Sequence, residues 1–220
     1  MPYLIQGDEF DPTADMRERL AQVMAESGAM LLADARYRIR HAQGVLQFEG
    51  RAEAERVAAR FADLGFANFL LDELLPVPRP RLVGVGGQLP QEPIGLVVLA
   101  MLSTETTRVV TEPNQLDMQV GYGVFTGLGL EVREQETVTE RKSRYLLDLF
   151  TPEQHWRVQS GMLPRVVEVF TSLDVSQAHL NEGIHSLSAG DRRMPSFSEE
   201  KGHQRYLQWL FQLRFAGQER

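Results

Sequence analysis

Apolar residues along the first 72 positions repeat with period two, then with period near 3.6, then with period two again. Tyr3-Leu4-Ile5 reads as a short strand closed by a Gly7-Asp8 turn. Asp11 is placed to cap a helix with Pro12 at its first position, where a missing N–H costs nothing. Met16, Leu20, Val23 and Met24 share a helical face that ends at Gly28. Leu31, Leu32, Ala35 and Ile39 form a second helical stripe, stopped at Gly44. Val45, Leu46 and Phe48 make a strand that ends at Gly50. A third helix starts near Arg51, its stripe formed by Ala54, Val57, Ala58, Phe61 and Leu64, with Gly65 as its stop. Phe69-Leu70-Leu71 closes the set as a strand. The predicted order is β-α-α-β-α-β, an open-faced α/β sandwich. Its last two strands flank a helix and are expected to pair directly in parallel through a right-handed crossover.

The pattern then changes. Leu75-Pro76-Val77-Pro78-Arg79-Pro80 carries three prolines, which fix φ and disfavour helix in the preceding residue. A stiff linker over 75–81 therefore separates a small α/β module, 1–74, from a β-rich domain, 82–220. In that domain Leu82, Val83 and Val85 read as a strand, and Ile94 to Leu102 as a buried strand or a short helix. Thr106 to Thr111 is rich in β-formers, and Met118–Phe125 and Leu128–Val132 are strand-like around a Thr126-Gly127 turn. Arg144 to Phe150 is the clearest strand, stopped at Thr151-Pro152, with His155 to Val158 as its hairpin partner. An antiparallel sheet or small barrel is expected. Helices follow: one capped by Ser176 with Leu180, Ile184 and Leu187 on a face, another introduced by a capping-box pattern at Ser196 to Glu199, with Tyr206, Leu210 and Leu213 as its stripe and Trp209 on its flank. The fold class is α+β, and strands closed by C-terminal helices have the outline of a pleckstrin-homology-like fold.

The chain has 220 residues, enough for two small cores, with 43% hydrophobic and 24% charged residues. A net charge of −7 argues against general binding to nucleic acid or an anionic membrane. The absence of cysteine removes disulfides, thiolate nucleophiles and cysteine metal sites. The amino terminus shows no signal-peptide pattern, and Ile94 to Leu102 is far short of the roughly 20 apolar residues of a membrane helix. A cytoplasmic protein is expected.

Gly28, Ala33-Asp34-Ala35, His41-x-x-Gly44, Gly44-Val45-Leu46, Ala52-Glu53-Ala54-Glu55 and Leu64-Gly65-Phe66-Ala67 form a spaced pattern of small and apolar positions. This pattern resembles the carboxy-terminal domain of the ribosomal stalk protein and the related fold of the Clp-protease adaptor, over about a third of the chain. The stalk domain's lysine-rich helix is replaced here by arginines and neutral residues. Both families bind other proteins and catalyse nothing, so the resemblance implies a protein-binding module.

Candidate chemistry is sparse. Gly84-Val85-Gly86-Gly87 lacks the third glycine and helix start of a dinucleotide loop, and a turn explains it. Gly121, Gly123, Gly127 and Gly129 suit a bulge or bend better than a pocket wall. His41, His155, His179, His185 and His203 include no i, i+4 metal pair; His179 with Glu182 has helical spacing, for which an exposed polar face is the simpler reading. Ser143, Ser160 and Ser172 lack a nucleophile elbow. Asp8, Glu9 and Asp11 are explained by a helix N-terminus. No catalytic residue, cofactor or metal is therefore expected.

The arginines of the second and third helices stand out. Residues 1–75 carry eight basic and thirteen acidic side chains, yet six of the eight are Arg36, Arg38, Arg40, Arg51, Arg56 and Arg60. Were the two helices to pack side by side, Arg36, Arg38, Arg40, Arg51 and Arg56 would form a basic stripe suited to carboxylates on a partner. The competing reading is a solvated face paired with nearby acids such as Glu53, Glu55 and Asp63. The expected function is a non-enzymatic adaptor or scaffold that binds a protein. Two alternatives stay open: a ligand-binding or enzymatic second domain using Gly121 to Gly129, and a structural subunit presenting Trp156, Trp209 and Phe211.

Overall fold

The computed structural model of the chain describes residues 1–7, 14–28, 30–84, 86–89, 93–111, 135–173, 179–180 and 194–216. Two sheets organise them. The smaller contains β1 (Tyr3–Gln6), β2 (Val45–Gln47) and β3 (Asn68–Leu71) in the order β2-β1-β3, with both neighbours antiparallel to β1. Helices α1 (Ala14–Gly28), α2 (Leu32–Ala42) and α3 (Arg51–Asp63) cover one face. The element order is the predicted β-α-α-β-α-β. The predicted pairing is not: β2 and β3 are parallel to each other but separated by β1, so the crossover through α3 skips one strand. Alternation along β1 explains this position. Leu4 points into the three-helix core while Ile5 points to the opposite face, and both are fully buried. The neighbouring strands also reach both cores, but β3 is only half-buried along its length and β2 ends on an exposed Gln47, so the most deeply buried strand is the central one.

The larger sheet runs β4 (Pro80–Val83), β7 (His155–Ser160), β6 (Gln135–Phe150), β5 (Leu96–Thr111) and β8 (His179–Leu180), and β9 (Ser196–Phe197) also pairs with β5. The strands β5, β6 and β7 are antiparallel, whereas β4 lies parallel to β7 and β8 and β9 lie parallel to β5. The sheet is open and mixed; the described residues form no closed barrel. Ile94 to Leu102 resolves as strand because its alternate residues enter different cores. Val97 and Leu99 pack with α4 (Leu163–Thr171), a helix the apolar pattern did not single out, while Leu96 and Val98 pack with α5 (Glu200–Phe211). The run looks continuous in sequence because both faces are buried.

Other expectations change. His179–Leu180 is a strand rather than part of a helix capped by Ser176. Ser196 lies in β9, and α5 starts after Glu199 without a side-chain cap. Strand β4 begins at Pro80, so part of the predicted linker belongs to a sheet, and Leu74 and Val77 pack into a core. Asp8 to Pro12, Val85, Met118 to Val132, Ser176 and Glu182 to Leu187, on which further expectations fell, lie outside the described residues.

Helix α5 and its π-helical extension, Gln212–Ala216, sit between the two sheets. They pack with Ile5, Tyr3, Val45, Phe69 and Leu71 of the small sheet and with Leu96, Val98 and Phe150 of the large one. Polar contacts run the same way. Trp209 Nε1 donates to the Gln6 carbonyl at 2.8 Å, Gln212 Nε2 donates to the Leu75 carbonyl at 2.8 Å, and Arg214 Nε donates to the Gly95 carbonyl at 2.8 Å. Among the described residues no helix is long and apolar enough to cross a membrane.

Candidate functional site

Two places gather polar side chains. The first is buried under α5. Asp148 is the one charged residue in the apolar stretch Tyr145 to Phe150, and it is fully buried. The four-residue turn from Thr151 to Gln154 sets Phe150 opposite His155 and therefore Asp148 opposite Arg157. Asp148 Oδ1 accepts from His155 Nε2 and Arg157 Nε, each at 2.6 Å. From α5, His203 Nε2 comes within 3.1 Å of Oδ2, although the two are misaligned for a hydrogen bond. His155 Nδ1 lies 3.1 Å from the Pro78 carbonyl, and its ring stacks on Phe150. Both of its ring nitrogens face oxygen atoms, which fixes the orientation of the ring. Burial pushes the Asp148 carboxyl up, but the hydrogen bond from His155, the closeness of His203 and the Arg157 charge outweigh it and hold the group well below the ordinary carboxylate range.

An Asp-His pair invites a catalytic reading, but substrate has no approach here: Asp148 and His203 are wholly enclosed and His155 is 2% exposed. The cluster ties three elements together, β6, β7 and α5. Among the described residues no group of three His, Cys, Asp or Glu side chains is arranged to hold a metal.

The second place is an open groove of about 520 Å³, within the range of ordinary ligand pockets. Helix α2 forms one wall with Tyr37, Arg38 and His41; β2 forms the floor; Arg205 and Gln208 of α5 form the other wall. Its local origin is the α2–β2 corner. Gln43 ends α2 in the left-handed region at φ 44°, and Gly44 follows at φ 84°. Two left-handed residues in a row turn the chain sharply enough to lay β2 beside its own helix. Tyr37 is 67% exposed and Met1 69%, both at the groove. Among the described residues strand β2 is an edge: Leu46 is paired with Leu4, Gly44 accepts from Gln6 N–H, and Phe48 N–H donates to Pro2, so these three residues face β1. The backbone groups of Val45 and Gln47 point the other way, along the free edge.

The chain matches no family model, no curated protein and no solved structure. Function must be read from the residues themselves.

The predicted arginines do not come together as one stripe. Helix α1 packs against both α2 and α3, so the side-by-side arrangement of α2 and α3 does not occur. Arg36 turns towards α1, where its Nε donates to Glu18 Oε2 at 2.9 Å and holds that carboxyl below its ordinary value. Arg51 is bonded to Glu55 at 3.0 Å and to Asp72, and Arg56 donates to the Ser27 carbonyl at the end of α1. Arg38, Arg40 and Arg60 are exposed and form no ion pair among the described residues; of these, Arg38 faces the groove. Arg205 was not singled out by the sequence, because only folding carries it next to α2, where it donates to the His41 carbonyl at 3.3 Å.

The remaining candidates are structural. Gly87 N–H donates to the Gly84 carbonyl at 2.9 Å, which is a turn. Ser143 shares a hydrogen bond with Ser103 at 3.0 Å, Ser160 accepts from Met162 N–H, and Ser172 donates to the Val169 carbonyl. Trp156, Trp209 and Phe211 are core residues rather than a surface patch. Gly121 to Gly129, His185 and Asp8 to Asp11 lie outside the described residues.

Proposed function

We propose that the protein is a non-catalytic binding module that holds a protein partner in the groove between α2, β2 and α5. The observation that carries this reading is an exposed tyrosine and an exposed arginine bordering a strand edge, the arginine and the edge both without a partner among the described residues. Exposed Tyr and Arg are the side chains most enriched where interfaces concentrate their energy. The buried polar cluster is closed to substrate, whereas the groove presents polar and aromatic groups that a partner can reach.

Affinity purification of partners with the wild-type chain and with Tyr37→Ala/Arg38→Glu tests it. The double variant alters two exposed side chains and should fold normally, while partner recovery falls at least tenfold, as expected when an aromatic anchor is lost. Unchanged recovery removes the groove. Loss of recovery with Arg36→Glu/Arg40→Glu, and not with the groove variant, moves the site to the opposite flank of α2.

A further inference from the structure

We infer that the groove binds its partner as an extended acidic segment, added as a fourth strand to the free edge of β2. This rests on the groove being the binding site and specifies what enters it. Three observations converge. First, Val45 and Gln47 direct their backbone N–H and C=O groups into the groove, and β1 pairs only the other side of β2. An unpaired strand edge is a template for another strand, and main-chain hydrogen bonding of this type needs no particular sequence in the guest.

Second, the two walls carry the charge. Arg38 stands on α2 and Arg205 on α5, against one acidic lining residue, Glu49, on a chain whose net charge is −7. The groove is a local reversal of the molecule's overall sign, so it favours acidic segments over basic ones at encounter. Third, the walls lie on opposite faces of the small sheet. Leu46 and Phe48 point to the three-helix core on the α2 side, and Val45 points to the α5 side. A guest strand alternates in the same way, so consecutive side chains reach Arg38 and Arg205 in turn. Two acidic residues at adjacent positions, or three apart, satisfy both arginines; a spacing of two sends both to one wall. Tyr37 gives an apolar contact beside Arg38.

A random octapeptide library displayed on phage, panned against the full chain, provides the test. The enriched peptides are expected to carry acidic pairs at odd spacing. Their synthetic counterparts should bind at least about tenfold more weakly to Arg38→Glu/Arg205→Glu, and measurably more weakly to Arg38→Glu alone, in which the Arg205 bond to His41 is kept. N-methylation along the peptide then reads the backbone directly. Methyl groups at positions of one parity should weaken binding about tenfold and those at the other parity little, since only alternate N–H groups face β2. Peptides that bind the groove but are not acidic overturn the charge preference, and peptides that show no alternation overturn strand addition; either result leaves the groove standing. Enriched peptides whose binding is untouched by Tyr37→Ala overturn the groove itself.

Discussion

Asp148 shows how much one residue determines here. A carboxylate wholly removed from water needs compensation, and it has Arg157, His155 and His203 around it. Removing the charge while keeping the shape leaves the buried Arg157, among the described residues, with only the more distant, exposed Glu200 carboxylate, at 3.6 Å. Asp148→Asn should therefore lower stability by about 3 kcal/mol, measured by urea unfolding near neutral pH. The pH dependence has a definite sign. The folded-state carboxyl lies below its ordinary value, so its contribution is fully present above about pH 4, where the unfolded chain ionises, and is lost as pH falls further. Unfolding of the wild type below pH 4 should show a steep loss of stability that Asp148→Asn largely lacks. Equal slopes in the two proteins would contradict the burial of this charge. Asp148 was not singled out from the sequence, although the hairpin expected over 144–158, with an acid inside an apolar strand and a four-residue turn before His155-x-Arg157, is what sets Asp148 opposite Arg157. The place of His203 beside it was not legible, since nothing local links it to residues 55 positions earlier.

Among the elements, the α2–β2 corner has the least latitude. Gly44 sits at φ 84°, and a Cβ there would overlap the Trp209 indole. Gly44→Ala combines left-handed strain with a steric conflict, and should destabilise the fold by at least about 2 kcal/mol. Gly65 has a similar φ, 86°, but open space around it, so Gly65→Ala meets only the conformational penalty. Comparing the two by thermal unfolding separates strain from packing; equal losses would mean that Trp209 does not rest on Gly44. Stops at Gly44 and Gly65 were readable because the requirement for positive φ is local. The order β2-β1-β3 was not. A helix between two strands allows direct pairing and also pairing across an intervening strand, and the deeper burial of β1 goes with the second. The Ser196 to Glu199 pattern misled for a related reason: β9 pairs Ser196 with Met101, and that long-range ladder outweighs a local cap.

At the scale of the molecule, α5 joins the two sheets through one shared core. Trp209, Leu210 and Phe211 fill a core shared with Ile5 on one side and Val98 and Phe150 on the other. Trp209→Ala should therefore cost about 3–5 kcal/mol, and its effect should reach hydrogen exchange in β1 and β5 together. Unfolding of the intact chain should be one transition whether followed by exchange in the small sheet or in the large one. Separate midpoints would mean that the shared core does not couple them.

Local chemistry was sufficient for the order and type of the elements from Tyr3 to Leu71, for the β6–β7 hairpin and for the apolar stripe of the last helix. Periodicity and turn residues act between neighbours a few positions apart, and their information survives without a fold. Strand adjacency, the dispersal of the arginines and the pairing of Arg38 with Arg205 across a groove depended on burial between distant segments. Hydrophobic contact has no direction along the chain, so several arrangements satisfy one pattern. The arrangement adopted is the one in which α5 covers Ile5 and Phe150 with a single surface.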